Sequence, residues 1–286
     1  MGKVRHILKM LLLLLAAAGA GAGLTLWALH ALGADTDGMS RLGRGVLKTG
    51  GDEWEIAATE HFTGYAPSAE LVELLLRKAE HASREVEIAL DIPPLTNHAH
   101  CFLITDSNLW KTVRQRGGWR TDGRALQYGN EFVLFIPDAE TEMEDSIPHE
   151  IVHFRLRQVY ANREPLALEE GLASYLGWEI TLEWHLGGGK IITRVQPRLP
   201  GETLWSLNEL VSAQAYDQNA DRNRAFYRQS EEWVRGIVSL IGPESLGEFV
   251  RIVFDGEMTW DRALREKWGL SDLQMDKLSA IVESGK

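Results

Sequence analysis

The chain has 286 residues, 44% hydrophobic and 25% charged, which fits a globular fold and excludes disordered and collagen-like classes. Its formal net charge is −11, and an acidic surface repels phosphate backbones, so nucleic acid is not an expected partner. The single cysteine, Cys101, rules out an intrachain disulfide and a thiolate zinc site, leaving histidines and carboxylates to hold any metal.

Residues 1–34 read as a leader. Lys3, Arg5, His6 and Lys9 precede an uncharged run over 10–29. At about 1.5 Å per residue that run spans about 30 Å, the thickness of a bilayer's hydrocarbon core. The basic flank favours an N-terminus inside and the rest of the chain outside. Ala18-Gly19-Ala20 offers a signal-peptide cleavage site, so a secreted product is the alternative, but the apolar run continues past it through Trp27. The expectation is a single-pass cell-membrane protein anchored through residues 10–29.

Residues 35–52 are rich in Gly and polar residues without periodicity and read as a flexible linker. Residues 53–285 read as one domain. Residues 53–65 alternate as a short strand, and Pro93-Pro94 closes a helix over 68–90 with Ser68 as N-cap and Leu71, Leu74, Leu75, Ala79, Ala82, Val86 and Ala89 on one face. A strand over 99–105 buries Cys101, a short helix covers 107–116, and five turn-forming residues make 117–130 a loop. A strand over 132–136 stops at Pro137. The pattern is then helical over 142–160, 166–184, 205–214, 222–241, 243–254, 258–267 and 271–283. Gly187-Gly188-Gly189 and Pro197 to Pro200 break that run with a loop that has room for a hairpin around 191–195. Strands first and helices second, without βαβ alternation, predict an α+β fold: a small mixed sheet packed on the helix at 142–160, then a mainly helical C-terminal part.

His149-Glu150-Ile151-Val152-His153 carries the chemistry. Residues four apart on a helix are neighbours, so the two imidazoles share a face and can bind one zinc. Glu150 is turned about 100° from His149, beside the metal rather than on it. There it can take a proton from a water that the metal polarises. Ile147, Ile151, Val152, Leu156, Val159 and Tyr160 give this helix an apolar stripe, and Pro148 is tolerable within a first turn. A catalytic zinc takes three protein ligands and keeps one position open. Glu170, on a second helix that begins near Pro165, is placed to be the third ligand. Glu169 is the rival; its alternative is a solvated carboxylate at a helix start. Gly171 and Ala173 are small enough to let these two helices approach closely.

Pro148 to His153, followed by Leu168-Glu169-Glu170-Gly171-Leu172-Ala173-Ser174-Tyr175, resembles the gluzincin zinc peptidases, in particular the peptidase MA-like group. Glu60-His61-Phe62 and 226–230 resemble the group's opening strand and later helix. The chain departs from it at Ser174, where an acidic residue is frequent, and in an insertion-like stretch at 186–200. The resemblance implies zinc as cofactor, His149, His153 and Glu170 as its ligands, and a peptide or protein as substrate. Hydrolysis of the peptide bond has Glu150 as general base, with the catalytic domain outside the membrane. It also makes 131–136 a sheet edge that aligns an extended peptide, with an interior strand as the alternative. Tyr227 is the candidate for stabilising the oxyanion, with a packed aromatic as its alternative. His98, His100 and His185 read as surface or loop histidines. From a different class comes an inactive zinc-binding ectodomain that recognises peptides or wall components, and beside it a metal-free structural domain.

Overall fold

The computed structural model describes residues 39–51, 54–117, 124–187 and 203–284. The fold is α+β: a five-stranded mixed sheet, with helices concentrated in the C-terminal half. The chain divides into two compact units, one of residues up to Arg77 with Asn97–Ala139, the other of Lys78–Thr96 with Glu140–Lys286.

In the first unit, helix α1 (Arg41–Gly50) precedes strands β1 (Glu55–Ala58) and β2 (Phe62–Ala66), the start of α2 (Ala69–Leu90), β3 (Ala99–Ile104), α3 (Ser107–Gly117), β4 (Ala125–Tyr128) and β5 (Glu131–Phe135). The sheet runs β1-β2-β3-β5-β4, with β2, β3 and β5 mutually parallel and antiparallel hairpins at both edges. Every residue of β3 is buried, as an interior strand covered on both faces requires. Cys101 is among them, in the strand position that its apolar setting predicts. On one face Tyr65 stacks on Phe102 at 4.5 Å, within a core that also holds Val46, Trp110 and Val133. On β2, Gly64 lies against α2: an added Cβ would come within 2.9 Å of the Leu76 and Val72 side chains.

Several expectations are corrected here. The 35–52 linker is in part helix. Ser40 caps α1, and the buried Glu131 carboxylate accepts from the Ser40 N–H, the Ser40 hydroxyl at 2.5 Å and the Gly43 N–H at 2.8 Å. A strand residue 88 positions further along thus stabilises a glycine-containing helix whose local signals are the Ser40 cap and an apolar face with Leu42 and Val46 one turn apart. Residues 53–65 hold two strands with a turn between them, because Thr59 and Phe62 close a hairpin (Thr59 N to Phe62 O, 2.8 Å). The loop at 117–130 contains β4, which pairs outside β5, so 131–136 is an interior strand and not the sheet edge.

In the second unit, α2 continues, followed by α4 (Ala139–Val159), α5 (Leu166–Gly187), α6 (Leu207–Ser212), α7 (Ala220–Ile241), a 3-10 turn, α8 (Leu246–Phe254), α9 (Trp260–Glu266) and α10 (Asp272–Ser284). Ser68 caps α2 by accepting from the Leu71 N–H at 3.3 Å. Of the predicted face of α2, Leu75, Ala79, Ala82 and Val86 are buried while Leu71, Leu74 and Ala89 are only partly so, and Val72, Leu76 and Leu90 join it. Pro148 sits in the interior of α4, not its first turn, and interrupts the hydrogen-bond ladder next to His149. Gln229 ties the C-terminal helices together, accepting from Trp205 N–H at 2.9 Å and donating to the carbonyls of Trp205 and Val282 at 2.8 Å.

The anchor read at 10–29 and the stretch at 188–200 lie outside the described residues. No helix among the described residues is long and apolar enough to cross a membrane. The single-pass placement with an external catalytic domain is withdrawn on that finding.

Candidate metal centre

The site lies wholly in the second unit. Ile147, Ile151, Val152 and Leu156 are fully buried and fix the roll of α4, which leaves His149 and His153 on a common face one turn apart. Their rings are 4.9 Å apart at 73°. Helix α5 brings Glu170 to the same point. The backbones approach closely because of Gly177, where a Cβ would sit 3.0 Å from the His149 Cα and N. Gly171, expected to serve that approach, faces α7 instead: its Cβ would meet the Ser230 carbonyl oxygen at 2.3 Å.

Donor atoms of His149, His153 and Glu170 all lie within 4.8 Å of one another. Glu170 Oε2 is 3.2 Å from His153 Nε2 and 3.6 Å from His149 Nε2. Two donors held about 2 Å from one tetrahedral ion are about 3.4 Å apart. Oε2 is buried and makes no hydrogen bond of good geometry among the described residues, so its polar contacts are the two imidazole nitrogens. These three residues could therefore hold a metal ion, which would take the place of the proton that now pairs His153 with Glu170.

The neighbours fix the donors. Glu169, buried on α5, accepts from His153 Nδ1 at 3.0 Å and is itself held by Arg157 Nε and Arg163 Nε, each at 3.3 Å. It does not join the converging group and is not a solvated helix-start charge: it orients the His153 ring through the nitrogen that points away from Glu170. Burial pushes His153 towards neutrality, but the Glu170 and Glu169 carboxylates outweigh it and hold its pKa up at about 10. Burial likewise opposes ionisation of Glu170, and the two histidines prevail, holding its pKa down at about 2.

Glu150 lies outside the converging group, yet its charge is felt by both His153 and Tyr227. Tyr227 on α7 is half-buried, and its ring stacks on that of Tyr216 at 5.8 Å and 19°. Burial and the Glu170 carboxylate raise its pKa, so the phenol keeps its proton. Tyr216 was invisible in the sequence: an aromatic in a polar loop, 46 residues from Glu170, whose Oε1 accepts its hydroxyl. No motif marks it.

The other histidines are elsewhere. His98 contacts Thr63 Oγ1 at 2.7 Å, and His100, expected at the surface, is a buried β3 residue 3.3 Å from the Tyr65 hydroxyl. The His185 side chain lies outside the described residues. A second group, His81 and Glu85 on α2 with Glu183 on α5, also converges within 4.8 Å. Glu183 is exposed and the other two partly so, although His81 Nε2 is itself buried without a hydrogen-bond partner among the described residues, so this group too could hold an ion. No protein-family model matches this chain, and no curated protein matches it. The gluzincin resemblance thus rests on the motif residues themselves.

Proposed function

We propose that the chain is a zinc-dependent peptidase with its metal on His149, His153 and Glu170. The observation that carries this reading is the convergence of the His149 and His153 Nε2 atoms on the buried Glu170 Oε2, with all three donors within 4.8 Å of one another. Two imidazoles and one carboxylate are a donor set that zinc takes in catalytic sites, leaving one position open. Bound there, zinc would supply Lewis acidity, bringing the pKa of water towards 7 and polarising a peptide carbonyl.

The chain's own residues do the rest. Glu150 accepts the proton that the attacking water loses and returns it to the departing amine as the C–N bond breaks. Tyr227, protonated by its surroundings, donates to the oxygen on which negative charge develops. Glu169 keeps the His153 ring in one orientation by holding Nδ1–H.

The test pairs a peptidase assay on a mixed peptide library with zinc titration. Glu150→Gln keeps size and reach but cannot take the proton, so cleavage should fall about 10²-fold or more with zinc affinity little changed. Glu170→Gln should weaken zinc binding itself. A Glu150→Gln protein that cleaves as fast as wild type refutes the mechanism. A wild type that holds zinc and cleaves nothing is a binding domain.

A further inference from the structure

We propose that Tyr216 is a positioning residue of the metal centre: its hydroxyl occupies Oε1 of Glu170, so that only Oε2 faces the two imidazoles. The inference rests on the zinc reading above and concerns what sets the affinity and coordination of that ion.

Glu170 presents two oxygens in different situations. Oε1 accepts the Tyr216 hydroxyl, and Oε2 faces the histidine Nε2 atoms, 3.2 Å from that of His153 and 3.6 Å from that of His149. A buried carboxylate with both oxygens free can grip a cation through both, as large oxygen-seeking ions such as Ca²⁺ favour. With Oε1 committed to a phenol, the carboxylate offers one oxygen, which suits a small four-coordinate ion with an open position.

The phenol's place is built, not incidental. Its ring stacks on Tyr227 and lies edge-on to Phe226 at 6.3 Å and 88°. The next residue, Asp217, anchors the loop to α7. Its N–H donates to Asn223 Oδ1 at 3.2 Å, and its carboxylate accepts from the Asn219 N–H at 2.9 Å and pairs with Arg222 Nε at 3.0 Å. Asn219 then caps α7 by accepting from the Asp221 and Arg222 N–H groups at 2.9 and 3.2 Å. The hydroxyl is thus delivered by an aromatic shelf and a capped helix start, although the residue as a whole is 42% exposed. An exposed tyrosine held this firmly, with its one polar atom turned inward onto a buried carboxylate, is placed to act on that carboxylate.

The experiment uses full-length protein and two variants. Tyr216→Phe keeps the ring and its stacking and deletes only the donor; Tyr216→Leu also removes the shelf contact. Zinc affinity is measured by chelator competition, and the visible spectrum of the Co²⁺-substituted protein reports coordination. Melting of the metal-free proteins checks the fold. The expected result for Tyr216→Phe is a loss of zinc affinity of about tenfold or more. Its cobalt spectrum should change while metal-free melting stays close to wild type. A Phe variant matching wild type in affinity and spectrum overturns the proposal. So does loss of affinity in Tyr216→Leu alone, which would assign Tyr216 to packing. A wild type that takes up no metal overturns the underlying zinc reading, a result distinct from an unchanged Phe variant.

Discussion

Glu169 and Glu170 are adjacent, yet consecutive helical residues point about 100° apart, and here that angle separates two roles. Glu170 meets the Nε2 atoms of both histidines, whereas Glu169 reaches His153 from the Nδ1 side. In the metal-free chain His153 therefore lies between two carboxylates and keeps its proton up to about pH 10. Binding a metal through Nε2 requires that proton to leave. Zinc uptake at pH 7 should thus release about one proton from His153, measurable by calorimetry in buffers of different ionisation enthalpy; no proton release would contradict this charge state. The sign for metal-free stability follows from the same shift. With its pKa raised from 6.5 to about 10, the contribution of His153 is complete below about pH 6.5 and lost as pH rises towards 10. Glu170, lowered from 4.5 to about 2, contributes fully above about pH 4.5 and loses its share as pH falls towards 2. The converging triad was legible because i, i+4 spacing and a glutamate on the following helix are local signals. The work of Glu169 and Tyr216 was not, because it depends on which side of a ring a neighbour reaches.

Among the elements, α2 and α7 were legible because a 3.6-residue period survives in sequence, and Ser68 marks its cap by side-chain chemistry alone. Helix α1 was not: Gly43, Gly45 and Gly50 read as linker and masked the Ser40 cap and the apolar face, which the buried Glu131 carboxylate and burial of Met39 and Val46 reinforce. The β5 strand was recognised, but its place was not, because a strand's neighbours are set by pairing and β4 is four residues beside a turn. Glycines show the same limit. Gly171 and Gly177 are both small in sequence, but one admits α7 and the other α4. Gly171→Ala would drive a Cβ to 2.3 Å from the Ser230 carbonyl oxygen, a rigid backbone atom, so the helices must shift. A loss of about 1–3 kcal/mol is expected from urea unfolding, as for other overpacked cores. Wild-type stability in Gly171→Ala would show that the α5–α7 contact is looser than described.

At the scale of the molecule, the converging donors and both tyrosines come from the second unit, so the chemistry proposed here depends on helix packing rather than on the sheet. A net charge of −11 adds a general attraction for cations but no selectivity, which must come from the three donors and their geometry. Metal bound only by the folded chain would also stabilise that fold by mass action, in proportion to the logarithm of free zinc. The most direct measurement is metal content. Full-length protein is stripped with chelator, reloaded with zinc, dialysed and analysed elementally beside His153→Ala. One zinc per wild-type chain, lost in His153→Ala, is the predicted result; a folded wild type that retains no zinc would contradict the account.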